Sequence, residues 1–96
     1  MIKHIVFIKL NDENMNVNAL KIKDLLEELP SKIEELIDIE VGINFDTAER
    51  AMDISLYSTF TSKEDLEIYA NHKDHITVID FIKTCAEYTK VVDYII

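Results

Sequence analysis

Tyr69, His72 and His75 recur at intervals of three within IYANHKDHITVIDF (68–81), and the chain has one other histidine, His4, inside its first apolar run. An imidazole takes and returns protons near neutral pH because its unperturbed pKa is about 6.5. A phenol, with a pKa near 10, is better suited to donating a hydrogen bond or proton to an oxygen that gains negative charge. Together they could enolise a carbonyl compound and steer an aldol-type condensation, a dehydration or an isomerisation. On this reading a histidine of the stretch is the base and Tyr69 the donor or orienting group, with His72 and His75 against the ligand. The competing reading is structural. His72 and His75 would bridge a break between helices, Tyr69 would bury its ring and bond a carbonyl, and His4 would be a satisfied core residue.

Two histidines at i and i+3 can also bind a metal, with Asp74 or another carboxylate completing the set. The spacing is common, however, and neither a second His/Cys cluster nor an H-E-x-x-H accompanies it. No native transition-metal site and no cofactor are expected, although the acidic surface could hold a divalent ion loosely. Glycine-rich phosphate loops and the G-x-S-x-G elbow are absent, which sets aside nucleotide and serine-hydrolase chemistry.

The elements that must position these residues follow from hydropathy patterning. IKHIVFIKL (2–10) is rich in β-branched residues and apolar on both alternating sets, as expected of a strand covered on two sides. Apolar residues at 15, 19, 22, 25, 26 and 29 make one helical face, which Pro30 ends. Ser31 with Glu34 reads as a capping box opening a short turn through Leu36. IDIEVGIN (37–44) and MDISLYSTF (52–60) alternate apolar and polar residues and pair through a long connection. Thr61 with Glu64 reads as another capping box, opening a helix that breaks near Asn71 to Asp74 and resumes over DHITVIDFIKTCAEY. The chain finishes with YTKVVDYII (88–96) as a strand.

The order βαββαβ predicts an α+β fold of ferredoxin-like plan, a four-stranded antiparallel sheet with helices on one face, within one domain spanning 1–96. Apolar residues on both sides of the first and last strands leave the open face uncovered. A second copy covering it makes a homodimer the expected state.

The 96 residues carry 10 Lys plus Arg against 19 Asp plus Glu, a formal charge of −9. That charge repels phosphate backbones and anionic lipids, so neither nucleic acid nor membrane is an expected partner. The single cysteine, Cys85, lies in an apolar helical pattern and is expected in the core. The opening MIKHIVFIKL reads as a strand rather than a leader, and the expected location is the cytoplasm.

Three segments, IKHIVFIKL, SKEDLEIYANHKDHITVIDFI and VVDY, taken in this order, resemble the stress-responsive A/B barrel domain (Dabb) family. The resemblance implies a dimeric α/β barrel in which two ferredoxin-like subunits pack their sheets together. The family includes a plant polyketide cyclase that makes olivetolic acid and plant stress-induced or antifungal proteins. In the cyclase a histidine and a tyrosine of the motif are implicated in acid/base chemistry, with a first-strand histidine in the same pocket. By position these are similar to His75, Tyr69 and His4, so the resemblance implies His75 as the base, Tyr69 as the donor or orienting group and His4 as a secondary pocket residue. The family usually has proline after the first motif histidine, where this chain has Lys73. The resemblance thus implies a small organic ligand and a cofactor-free lyase, cyclase or isomerase. The alternative is a non-catalytic stress-response or interaction module that acts through its dimer surface.

Overall fold

The computed structural model describes residues 1–96, folded as β1 (Ile2–Leu10), α1 (Met15–Glu27), a 3₁₀ turn (Leu29–Ser31), β2 (Asp38–Ile43), β3 (Ile54–Phe60), α2 (Lys63–Asn71), α3 (Lys73–Cys85) and β4 (Ala86–Ile95). All strand pairs are antiparallel, in the order β2-β3-β1-β4. This is the ferredoxin-like α+β plan, with β1 and β3 central and β2 and β4 at the edges.

Strand periodicity divides the sheet into two faces. Ile2, Ile8 and Leu10 of β1, with Ile54, Leu56 and Phe60 of β3, point toward the helices and are buried there with Ala19, Ile22 and Leu26 of α1 and Val78 and Ile82 of α3. Cys85 closes the same core as a free thiol, and burial pushes it above its ordinary pKa. The opposite face carries Lys3, Ile5, Phe7, Tyr57, Val92 and Tyr94 and has no helix over it. Strand β4, at the edge of the sheet, is exposed along nearly its whole length.

Local signals were realised with shifts. Ser31 does not open a helix: its hydroxyl donates backward to the Glu28 carbonyl at 2.7 Å, and residues 33–36 form turns rather than a helical segment. Pro30 sits inside the 3₁₀ turn, where its missing N–H leaves no bond unmade. The cap of α2 is Ser62, whose Oγ accepts the Asp65 N–H, and not Thr61 one residue earlier. Strands β2 and β3 are shorter than the alternation suggested, and β4 begins at Ala86 directly after Cys85, with no loop between.

Candidate functional site

The break between α2 and α3 builds the site. His72 is extended (φ −68°, ψ 137°) and ends α2, and its Nδ1 accepts the Asp74 N–H at 3.1 Å, capping α3. Lys73 is the first residue of α3, a position where proline is common but not required. The break therefore rests on the His72 cap.

The last carbonyls of a helix lack intrahelical partners. One of them, Ala70 O at the end of α2, accepts a hydrogen bond from His75 Nδ1 at 3.1 Å. A carbonyl can only accept, so Nδ1 carries the proton, and the neutral ring keeps its free lone pair on Nε2. Burial lowers the His75 pKa from its ordinary 6.5; the Ala70 bond opposes this, while the His4 and His72 charges add to the lowering. His75 is thereby a neutral base with a fixed tautomer at physiological pH.

Tyr69, on α2, is buried beneath the break. Its ring lies 4.2 Å from that of His75, 5.0 Å from Phe60 and 6.4 Å from His4, centroid to centroid. Its hydroxyl is buried without a hydrogen-bond partner in the protein, and burial raises the phenol above its ordinary pKa. Tyr69 therefore stays protonated and keeps an unused donor.

His4 lies on the helix-facing side of β1, with Ser58 and Asp93 as its cross-strand neighbours. The buried Ser58 hydroxyl donates to the His4 carbonyl at 3.1 Å. On the other flank His4 Nδ1–H donates to Asp93 Oδ1, leaving Nε2 free on this ring as well. Asp93, within VVDY, belongs to the candidate site and was not named from sequence. The signal was its place opposite His4, which only the β1–β4 register reveals.

His4 and His75 open into one cavity of about 260 Å³ between α3 and the β1–β4 side of the sheet. Its walls are Val6 and Ile8 of β1, Leu26 of α1, Leu56 of β3, Ile79 and Ile82 of α3, and Val91 of β4; Thr89 is its remaining polar lining residue. It has no Lys, Arg, Asp or Glu in its lining. Tyr69 packs behind the two imidazoles rather than in the wall, and His72 lies outside, at the helix cap. A larger hollow of about 370 Å³ by Phe7, Phe45 and Met52 has no titratable side chain to offer. No three His, Cys, Asp or Glu side chains gather as a metal site.

The stress responsive A/B barrel domain model matches residues 2–96. The chain belongs to that family. It is 30% identical over 100 residues to a stress-response A/B barrel domain-containing protein of Arabidopsis thaliana, covering 99% of this chain and 47% of that relative. The chain thus spans about half the length of this curated relative. Among solved structures, a dimeric protein with a ferredoxin-like fold from Bacteroides fragilis superposes with a TM-score of 0.92 at 35% identity, over 99% of this chain and 95% of the other. A hydroxynitrile lyase from Passiflora edulis shares the fold, with a TM-score of 0.86 at 21% identity over 99% and 92% of the two chains. No helix is long and apolar enough to cross a membrane.

Proposed function

We propose that this A/B barrel chain works as a cytoplasmic homodimer that binds a small, uncharged, largely apolar organic molecule between α3 and β4 and moves a proton on it without a cofactor. The observation that carries this reading is the convergence of two imidazoles, each with Nδ1–H engaged, on one apolar cavity. A buried apolar site with a few fixed polar groups is the usual form of a small-molecule site. Its volume suits a ligand about the size of one substituted ring.

In the proposed step, His75 Nε2 takes a proton from the carbon beside a carbonyl, and the C–H electron pair moves into the enolate. Tyr69 is the orienting group: from behind the cavity wall its ring packs against both imidazoles. His4 is the second pocket group, held in one tautomer by Asp93. His72 serves ligand binding indirectly, by setting the break that places His75. Returning the proton at another atom gives isomerisation; attack of the enolate on a second carbonyl gives cyclisation. The Passiflora lyase illustrates that this fold supports carbon-centred chemistry.

The dimer reading rests on the uncovered sheet face and on the dimeric Bacteroides relative. The same exposed face favours a second reading, a stress-response or interaction module whose dimer surface is the functional part. Deuterium exchange separates the two. Cyclohexanone in D₂O is expected to exchange its α-hydrogens faster with the protein than in buffer, and His75→Gln should lower the protein-dependent rate by about 10²-fold or more, the usual scale of general-base catalysis. Equal rates for the two proteins would remove His75 from the role of base.

A further inference from the structure

We infer that the substrate of the site is a neutral α-hydroxy ketone, whose carbonyl and hydroxyl the chain exchanges between neighbouring carbons; this rests on the proton-transfer reading above. The basis is the hydrogen-bonding sense of the cavity wall. His4 Nδ1–H and His75 Nδ1–H are both engaged, one by Asp93 and the other by the Ala70 carbonyl. Each neutral ring therefore has only an Nε2 lone pair to offer the cavity that both line.

The rest of the lining is apolar except for Thr89. In the strand register Thr89 pairs with Ile8 and Asp93 with His4, so Thr89 stands four residues along β4 from the His4 row. That separation is about 13 Å. The Thr89 hydroxyl is thus out of reach of a ligand group that is hydrogen-bonded to His4, and the imidazole end of the cavity has two side-chain acceptors and no side-chain donor.

This arrangement discriminates between carbonyl compounds. A plain ketone brings a further acceptor to that end, and the oxygen of its enolate would gain charge with no side-chain donor beside it. Buried polar groups left without partners are costly. An α-hydroxy ketone carries, on one carbon, an O–H and a C–H made acidic by the adjacent carbonyl. The O–H donates to His4 Nε2 while the C–H faces His75 Nε2, so both lone pairs are met.

The reaction then follows. His75 Nε2 takes the carbon proton, the C–H electron pair forms a carbon–carbon double bond, and the carbonyl π pair moves onto its oxygen. His4 Nε2 takes the hydroxyl proton and delivers it to that oxygen, with Asp93 supporting the charge that the ring carries in transit. The oxygen left deprotonated re-forms a carbonyl, and the double-bond pair takes the proton back from His75 at the neighbouring carbon. One proton has moved between carbons and one between oxygens, with no oxidant, reductant or cofactor consumed.

The probe is phenylacetylcarbinol, a single substituted ring whose isomer has the carbonyl next to the ring and a distinct ultraviolet absorption. The full chain should isomerise it at least about 10²-fold faster than buffer. It should bind about tenfold more tightly than its methyl ether, which has no O–H to donate. His4→Phe should abolish both the isomerisation and the preference over the ether. A readout on wild type needs no variant: the carbinol should move the His4 Nε2 ¹⁵N shift toward its hydrogen-bonded value, and the ether should not.

Benzyl methyl ketone, the same skeleton without the hydroxyl, separates the two readings. If the protein does not accelerate exchange of its α-hydrogens in D₂O, the proton-transfer reading falls and this inference with it. If that exchange is accelerated and is lost in His75→Gln, yet the carbinol isomerises no faster than in buffer or binds no better than its ether, the hydroxy ketone assignment alone is overturned. Isomerisation retained in His4→Phe contradicts it as well.

Discussion

The Tyr69 ring lies tilted against the His75 imidazole, 4.2 Å between centroids, and this contact joins the end of α2 to the first turns of α3 across the His72 break. The aromatic ring is thus packed while its hydroxyl is left without a protein acceptor. Tyr69→Phe should leave unfolding free energy unchanged or raise it by up to about 1 kcal/mol, because the lost group makes no bond and desolvating it is costly. Tyr69→Ala should lower it by about 3–5 kcal/mol through the cavity left behind. Urea unfolding measures both. A loss greater than about 1 kcal/mol for the Phe variant would mean that the hydroxyl has a stabilising partner.

The lowered pKa of His75 makes stability depend on pH with a definite sign. The unfolded chain binds the proton more tightly than the folded chain, so the contribution of this residue is fully present above its ordinary value of 6.5 and is lost as pH falls through the interval below it. Wild type should therefore lose more stability than His75→Gln between pH 7 and the lowered pKa, measured by urea midpoints across that range. A flat difference between the two would show that burial of the neutral ring contributes nothing to the pH dependence.

His72 has a structural task that asparagine can share. Replacing an N-cap acceptor by alanine typically costs about 1 kcal/mol. His72→Ala should lower stability by that order, and His72→Asn should recover most of it because its side-chain oxygen can accept the Asp74 N–H. Thermal unfolding of the three proteins decides. If Asn fails where His succeeds, the ring itself is needed at the break.

Asp93 holds the His4 tautomer. With the carboxylate in place, the neutral ring should carry its proton on Nδ1; Asp93→Ala should release it to a mixture of tautomers, visible in imidazole ¹⁵N shifts. Stability should change by no more than about 1 kcal/mol, because the carboxylate is substantially solvent-exposed. An unchanged tautomer in the variant would show that another group fixes the ring.

Much of the fold was legible because its signals are local. The alternation in IDIEVGIN, the apolar stripe from Met15 and the S/T-x-x-E pattern before α2 each act over a few residues, and the βαββαβ order followed. The cap lay at Ser62 rather than Thr61 because both can serve and the exit of β3 chooses between them. Ser31-x-x-Glu34 misled because the 3₁₀ turn around Pro30 draws the Ser31 hydroxyl back to Glu28. The site was legible only in part. Helical spacing brought Tyr69 and His75 together, and the resemblance added His4. The Asp93 contact depends on strand register across 89 residues. The division of labour between His75 in the cavity and His72 at the cap depends on where α2 stops.

The most direct test of the central claim is an NMR titration of the protein, with labelled methyl groups and imidazoles, against cyclohexanone and benzaldehyde, with cyclohexanecarboxylate and benzoate as charged counterparts. The account predicts saturable shifts at His4, His75, Ile79 and Val91 with a neutral compound, none with the carboxylates, and loss of the response in Thr89→Trp, which fills the cavity from the exposed β4 edge. Absence of a saturable response to both neutral compounds, shifts confined to the outer sheet face, or equal binding by Thr89→Trp would contradict it.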